Sequence, residues 1–129
     1  MSFKTTFESS SPVVIEATAT ELPFIAGSGG VTAGQLVYIS STGTVLPTSS
    51  AVNFVGVVKV GAAAGKLCSV MVAGAAKIRV TVSSSAAVSA GDMVVSAAAG
   101  TIVTSVSPTT RYLKVDTGAS SGGKAIVIL

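Results

Sequence analysis

Polar and hydrophobic residues alternate along this chain in short stretches separated by turn residues. The clearest is Ala76-Lys77-Ile78-Arg79-Val80-Thr81-Val82, where Lys77, Arg79 and Thr81 fall on one side and Ile78, Val80 and Val82 on the other. A strand points successive side chains to opposite faces, so this pattern predicts a half-buried strand. Other β-favouring runs are predicted at 35–39, 44–47, 54–59 and 66–73, and again at 92–96, 101–105, 111–115 and 124–129. Turn residues recur every ~8–12 residues, the rhythm of a sandwich or barrel. Helix signals are poor. Ala62-Ala63-Ala64 and Ala97-Ala98-Ala99 are each followed by Gly, and so short a run does not offset the cost of nucleating a helix.

The pattern occurs twice. Val31-Thr32-Ala33-Gly34-Gln35-Leu36-Val37 reappears as Val88-Ser89-Ala90-Gly91-Asp92-Met93-Val94, and Gly43-Thr44-Val45-Leu46 as Gly100-Thr101-Ile102-Val103. Residue 88 stands 57 after residue 31, and residue 100 stands 57 after residue 43. With a slip of one residue, Gly65-Lys66-Leu67-Cys68 matches Gly123-Lys124-Ala125-Ile126. Gly43 and Gly100 then mark equivalent hairpin tips. The expectation is an all-β barrel or sandwich of two tandem modules, with the repeat at 31–74 and 88–129 inside a β-domain spanning 21–129.

Residues 1–20 stand apart as an N-terminal arm. Its first ~11 residues read as extended chain, since termini are commonly mobile unless docked. Residues 12–18 read either as part of that arm or as an edge strand of the domain, and 27–30 as a loop. The arm carries Phe3, Phe7, Val13, Val14 and Ile15, costly apolar groups for a free tail. An extended segment can add itself as a strand to another chain's sheet edge, its alternate side chains filling pockets. These five are the candidate binding residues.

Composition narrows the class. Only 10% of the 129 residues are charged and 49% are hydrophobic, against roughly 25% charged in typical soluble domains; mean hydropathy is +0.77. No stretch approaches the ~20 apolar residues of a spanning helix. Aromatics are 5% with no Trp, too few for the girdles of an outer-membrane barrel. Met1-Ser2-Phe3-Lys4-Thr5-Thr6-Phe7-Glu8 has no apolar signal core, so secretory export is not expected. A subunit covered by neighbours fits best, with no membrane partner. Net charge is +3, but Lys59, Lys66, Lys77, Arg79, Arg111, Lys114 and Lys124 are scattered and not interleaved with aromatics, so no nucleic-acid partner is expected.

Reactive chemistry is sparse. There is no His, hence no Ser-His or Cys-His pair. Glu8, Glu16, Glu21, Asp92 and Asp116 are dispersed, and Cys68 is the single cysteine, expected as a buried inert group. Gly118-Ala119-Ser120-Ser121-Gly122-Gly123-Lys124 has phosphate-loop spacing, but Ala125 follows where Ser or Thr should hold magnesium, and a strand follows where a helix should. The chain is expected to be no enzyme, with no catalytic residue, cofactor or metal.

The order Val31-Thr32-Ala33-Gly34-Gln35-Leu36-Val37, Gly43-Thr44-Val45-Leu46-Pro47, Phe54-Val55-Gly56-Val57-Val58, Ala63-Ala64-Gly65-Lys66, Val70-Met71-Val72-Ala73-Gly74 and Val88-Ser89-Ala90-Gly91-Asp92 resembles the capsid decoration (cement) proteins of tailed bacteriophages over residues 31–105. The resemblance implies a β-rich virion subunit on the outer surface of the capsid, stabilising the head. Its partners would be the major capsid protein and itself, as a homotrimer over a local threefold point. Phe3, Phe7, Val13, Val14 and Ile15 would then be the capsid-binding residues. The alternatives are another virion module, such as a tail tube or fibre, and a cellular β-sandwich binding module.

Overall fold

A computed structural model describes residues 14–17 and 19–129. Among them are eleven strands: β1 Val14–Ala17, β2 Thr20–Ile25, β3 Leu36–Ile39, β4 Val45–Pro47, β5 Gly56–Val60, β6 Leu67–Ala73, β7 Ala76–Thr81, β8 Met93–Ser96, β9 Ile102–Thr104, β10 Leu113–Thr117 and β11 Lys124–Ile128. One 3-10 turn at Ala98–Gly100 is the sole helical element among the described residues. None of their helices is long and apolar enough to cross a membrane.

The strands form two antiparallel sheets. The first runs β2-β6-β5-β3-β4, and the second runs β1-β7-β11-β10-β8-β9. Setting β1 aside, the orders are the same, with β7 standing for β2, β11 for β6, β10 for β5, β8 for β3 and β9 for β4. Individual bonds recur as well. Gly34 N–H donates to Val58 O as Gly91 does to Val115 O, and Val31 and Ala62 exchange bonds as Val88 and Ala119 do. The corresponding unit therefore starts at β2, ahead of the 31–74 stretch in which the repeat is legible in sequence, and β7 opens the second unit. Residues of β2 correspond to those of β7 at a spacing of 56, because Ala26 N–H donates to Lys66 O as Val82 does to Gly123 O.

The one-residue slip expected near the end of the repeat is corrected. Gly65 and Gly122 share positive φ (82° and 76°), and the next residue of each turn bonds back alike, Lys66 to Ala63 O and Gly123 to Ser120 O. Gly65 thus corresponds to Gly122, which keeps the spacing of 57. A left-handed turn position favours Gly whatever follows it, and the extra Gly123 had disguised the register.

Each sheet curls. A parallel bridge joins Ala26 to Val45 in the first and Val82 to Ile102 in the second, bringing the end of β2 to β4 and the end of β7 to β9. Inside the first curl sit Ala26, Val31, Val37, Val45, Val58, Cys68 and Val70. All seven counterparts, Val82, Val88, Val94, Ile102, Val115, Ala125 and Val127, lie in the larger cluster of the second. That cluster also takes in Leu36, Phe54, Val57 and Met71 from the first half. The halves are thus fused through one face of the first sheet.

Strand β1 lies on the outer edge of β7, pairing Val14 with Ile78 and Ala17 with Ala76. It falls in the segment expected as an arm, and over these four residues the edge-strand alternative is what forms. The matching edge of β2 carries no strand among the described residues. Its chemistry explains the difference. Ala26 N–H turns toward β6, so by alternation Leu22 and Phe24 do too, and Pro23 faces outward. Proline has no N–H to donate, which blunts an edge against strand addition; its counterpart on β7 is Arg79.

Candidate functional site

Among the described residues no group of His, Cys, Asp and Glu is placed to hold a metal ion, and the features that stand out are on the surface and between the halves. Three features matter: what mounts the N-terminal segment, what apolar surface is left uncovered, and what locks the halves together.

Of the five candidate binding residues, Phe3, Phe7 and Val13 lie outside the described residues. Val14 and Ile15 begin β1, whose main chain pairs with β7. The segment preceding Val14 therefore leaves from a strand built into the second sheet.

The uncovered apolar surface is unequal between the halves. Paired residues of neighbouring strands share a face, and Ile25 pairs with Leu67 on the face that also carries Met71. Ile25, Val60 and Leu67 are 40%, 55% and 66% exposed. Their counterparts in the second sheet are Thr81, Thr117 and Lys124, and Lys124 Nζ donates to Thr81 Oγ1 at 2.9 Å. One scaffold thus carries a water-compatible surface in one half and an apolar one in the other. Sequence reasoning missed this patch; aligning β2 with β7 would have revealed it.

The lock is Arg111. Its Nη1 donates to the carbonyls of Phe54 (3.2 Å) and Val55 (2.8 Å), and Nη2 to Val72 O (3.0 Å). Its main-chain N–H donates to Asn53 Oδ1 at 2.7 Å, and the guanidinium sits 4.8 Å from the Phe54 ring centroid. Burial lowers its pKa from the ordinary value, yet an arginine stays charged. The second half thereby grips three first-half carbonyls.

The tempting motifs have plain roles. Residues 118–124 form the turn into β11. Cys68 is buried, its thiol donating to Phe24 O at 3.4 Å, and burial pushes its pKa up. Cys68→Ala is expected to cost about 1 kcal/mol through the small cavity left in the first curl and to leave partner binding unchanged; a thermal melt and a binding assay check the two halves of that statement. A cleft of about 310 Å³ between the halves, lined by Gln35, Thr81, Gly100 and Lys124 among others, has no carboxylate in its lining.

A model of the phage cement protein family matches residues 15–128. The chain belongs to that family. This cement protein is a structural component of the virion, bound to the outside of the phage capsid, which it stabilises. Its fold is shared with the head fiber gp8.5 N base in bacteriophage phi29, known from a crystal structure. The TM-score is 0.67 at 18% identity, covering 85% of the cement protein and 94% of that chain. No curated protein matches it.

Proposed function

We propose that the cement protein binds the major capsid protein through residues 2–13 together with the Ile25/Val60/Leu67 patch, and does so as a homotrimer over local threefold points of the head. It works by adhesion alone, without catalysis. The observation that carries this reading is the patch. Three large aliphatic side chains stand exposed where the same scaffold elsewhere carries Thr, Thr and Lys, and such surface is stable in water chiefly when a partner covers it. The N-terminal contribution is supported by Phe3 and Phe7, which precede a strand anchored in the domain.

The test is to add purified protein to expanded, undecorated heads and follow co-sedimentation. Leu67→Asp changes a side chain that is already largely exposed, so folding is retained. Burying a leucine contributes ~1.5–3 kcal/mol, so head affinity should fall by roughly tenfold or more. Lys124→Asp, at the corresponding place in the second half, should have little effect. Equal behaviour of the two variants would remove the patch from the shell contact.

A further inference from the structure

The two halves do not meet as mirror partners. The tip of the β8–β9 hairpin, residues 97–101, is seated on the first half. Gly100 N–H donates to Thr48 O at 3.0 Å, Thr48 Oγ1 donates to Ala97 O at 2.9 Å, and Gln35 Nε2 donates to Ala99 O at 3.3 Å. Ser96 Oγ donates to Ser50 O at 2.8 Å and accepts from Val52 N–H at 3.0 Å. Among the described residues the reverse contact is absent. The equivalent tip, residues 40–44 between β3 and β4, turns back on itself, with Gly43 N–H bonded to Ser40 O. A Cβ at Gly100 would lie 2.8 Å from Gln35 Cβ, whereas one at Gly43 would meet nothing within 4 Å. Ser96 is 1% exposed and its counterpart Ile39 is 50% exposed. The seat is equally one-sided. Thr48 is buried, while its counterpart Ser105 is half-buried and Val106 beside it is 86% exposed.

Among the described residues, each chain therefore holds one used tip and seat and one unused tip and seat, all on the same scaffold. A contact of this head-to-tail kind propagates, closing into a ring when the rotation permits. Resting on the trimer reading above, the geometry points to a specific interface between copies: the β3–β4 tip of one chain, with Ile39, seats on Asp92 and the loop 105–109 of the next. The chemistry of the free pair suits this. Gln35, which donates to a main-chain carbonyl, is replaced in the free seat by Asp92, which accepts. Ala99 is replaced in the free tip by Thr42, whose hydroxyl can donate to it. The free seat is also more polar, since buried Val57 corresponds to exposed Lys114. The interchain contact is consequently weaker than the intrachain one, and forms where the shell holds subunits side by side at high effective concentration.

The contact between Ser96 and residues 50 and 52 translates to position 39 beside 107 and 109. Ile39→Cys combined with Thr109→Cys, added to heads and mildly oxidised, should give covalent dimers and trimers on a non-reducing gel. Either single variant should give none, since Cys68 is buried. If the doubly substituted chain decorates heads in mutually touching groups yet stays monomeric on the gel, this interface is wrong and the trimer reading stands. If a map of decorated heads shows isolated subunits, the trimer reading fails with it. A folded double variant that no longer reaches the heads would assign these positions to the shell contact instead, and would also overturn the interface.

Discussion

Deleting residues 2–11 is expected to leave a folded protein that no longer decorates heads efficiently. The truncation stops short of Val14, where β1 begins its pairing with β7, so the second sheet keeps all six strands. What is lost is Phe3 and Phe7 with the main chain around them. Burying a phenylalanine against a partner contributes ~1.5–3 kcal/mol, and ordering the segment takes back part of the gain. A net loss of about 2–4 kcal/mol corresponds to a fall in affinity of roughly 30- to 1,000-fold. Co-sedimentation with heads reads the affinity, and a thermal melt of the same sample reads the fold. Full binding by a folded truncation would move the whole shell contact onto the patch at Ile25, Val60 and Leu67.

Arg111→Ala should be the most destabilising single change outside the apolar clusters. It strips the donors from the carbonyls of Phe54, Val55 and Val72 and removes the cation from the Phe54 ring. A buried acceptor left without a partner costs ~1–3 kcal/mol. Water will reach some of these oxygens, so a loss of about 2–4 kcal/mol is expected, on the order of 10 °C in melting temperature. Arg111→Lys should recover only part of it, because an ammonium cannot span three acceptors as a planar fork does. A melt of Arg111→Ala within a degree or two of the parent would mean that water satisfies these carbonyls as well as the guanidinium does.

The ladder from β3 to β11 was legible because alternation and turn residues are local signals. Ala76–Thr81 emerges as expected, with Ile78 and Val80 buried. Strand β2 was not legible. Its sequence, Thr20-Glu21-Leu22-Pro23-Phe24-Ile25, carries a proline and no clean alternation, and only β6 beside it makes it a strand. For the same reason the first unit was read as starting at Val31. The role of Arg111 was hidden too. It corresponds to Phe54, and nothing local says that an arginine in that place will reach into the other half. Of the candidate binding residues, Phe3 and Phe7 were singled out by composition, whereas Ile25, Val60 and Leu67 stand out only once the two sheets are compared.

Among the described residues, each half carries a surface ion pair at corresponding positions, with its sign inverted. Glu21 meets Lys59 at 2.8 Å in the first sheet, and Lys77 meets Asp116 at 3.6 Å at the corresponding positions of the second. Lys59 also holds the Glu21 carboxyl below its usual range, helped by Ser69. Singly, exposed pairs of this sort contribute little, about 0–1 kcal/mol. A duplicated chain, however, must tell its own halves apart while it folds. If β7 took the place of β2, Lys77 would face Lys59, and the displaced Glu21 would face Asp116. Such an exchange would turn two attractions into two repulsions, a like-charge cost that favours each opening strand on its own sheet.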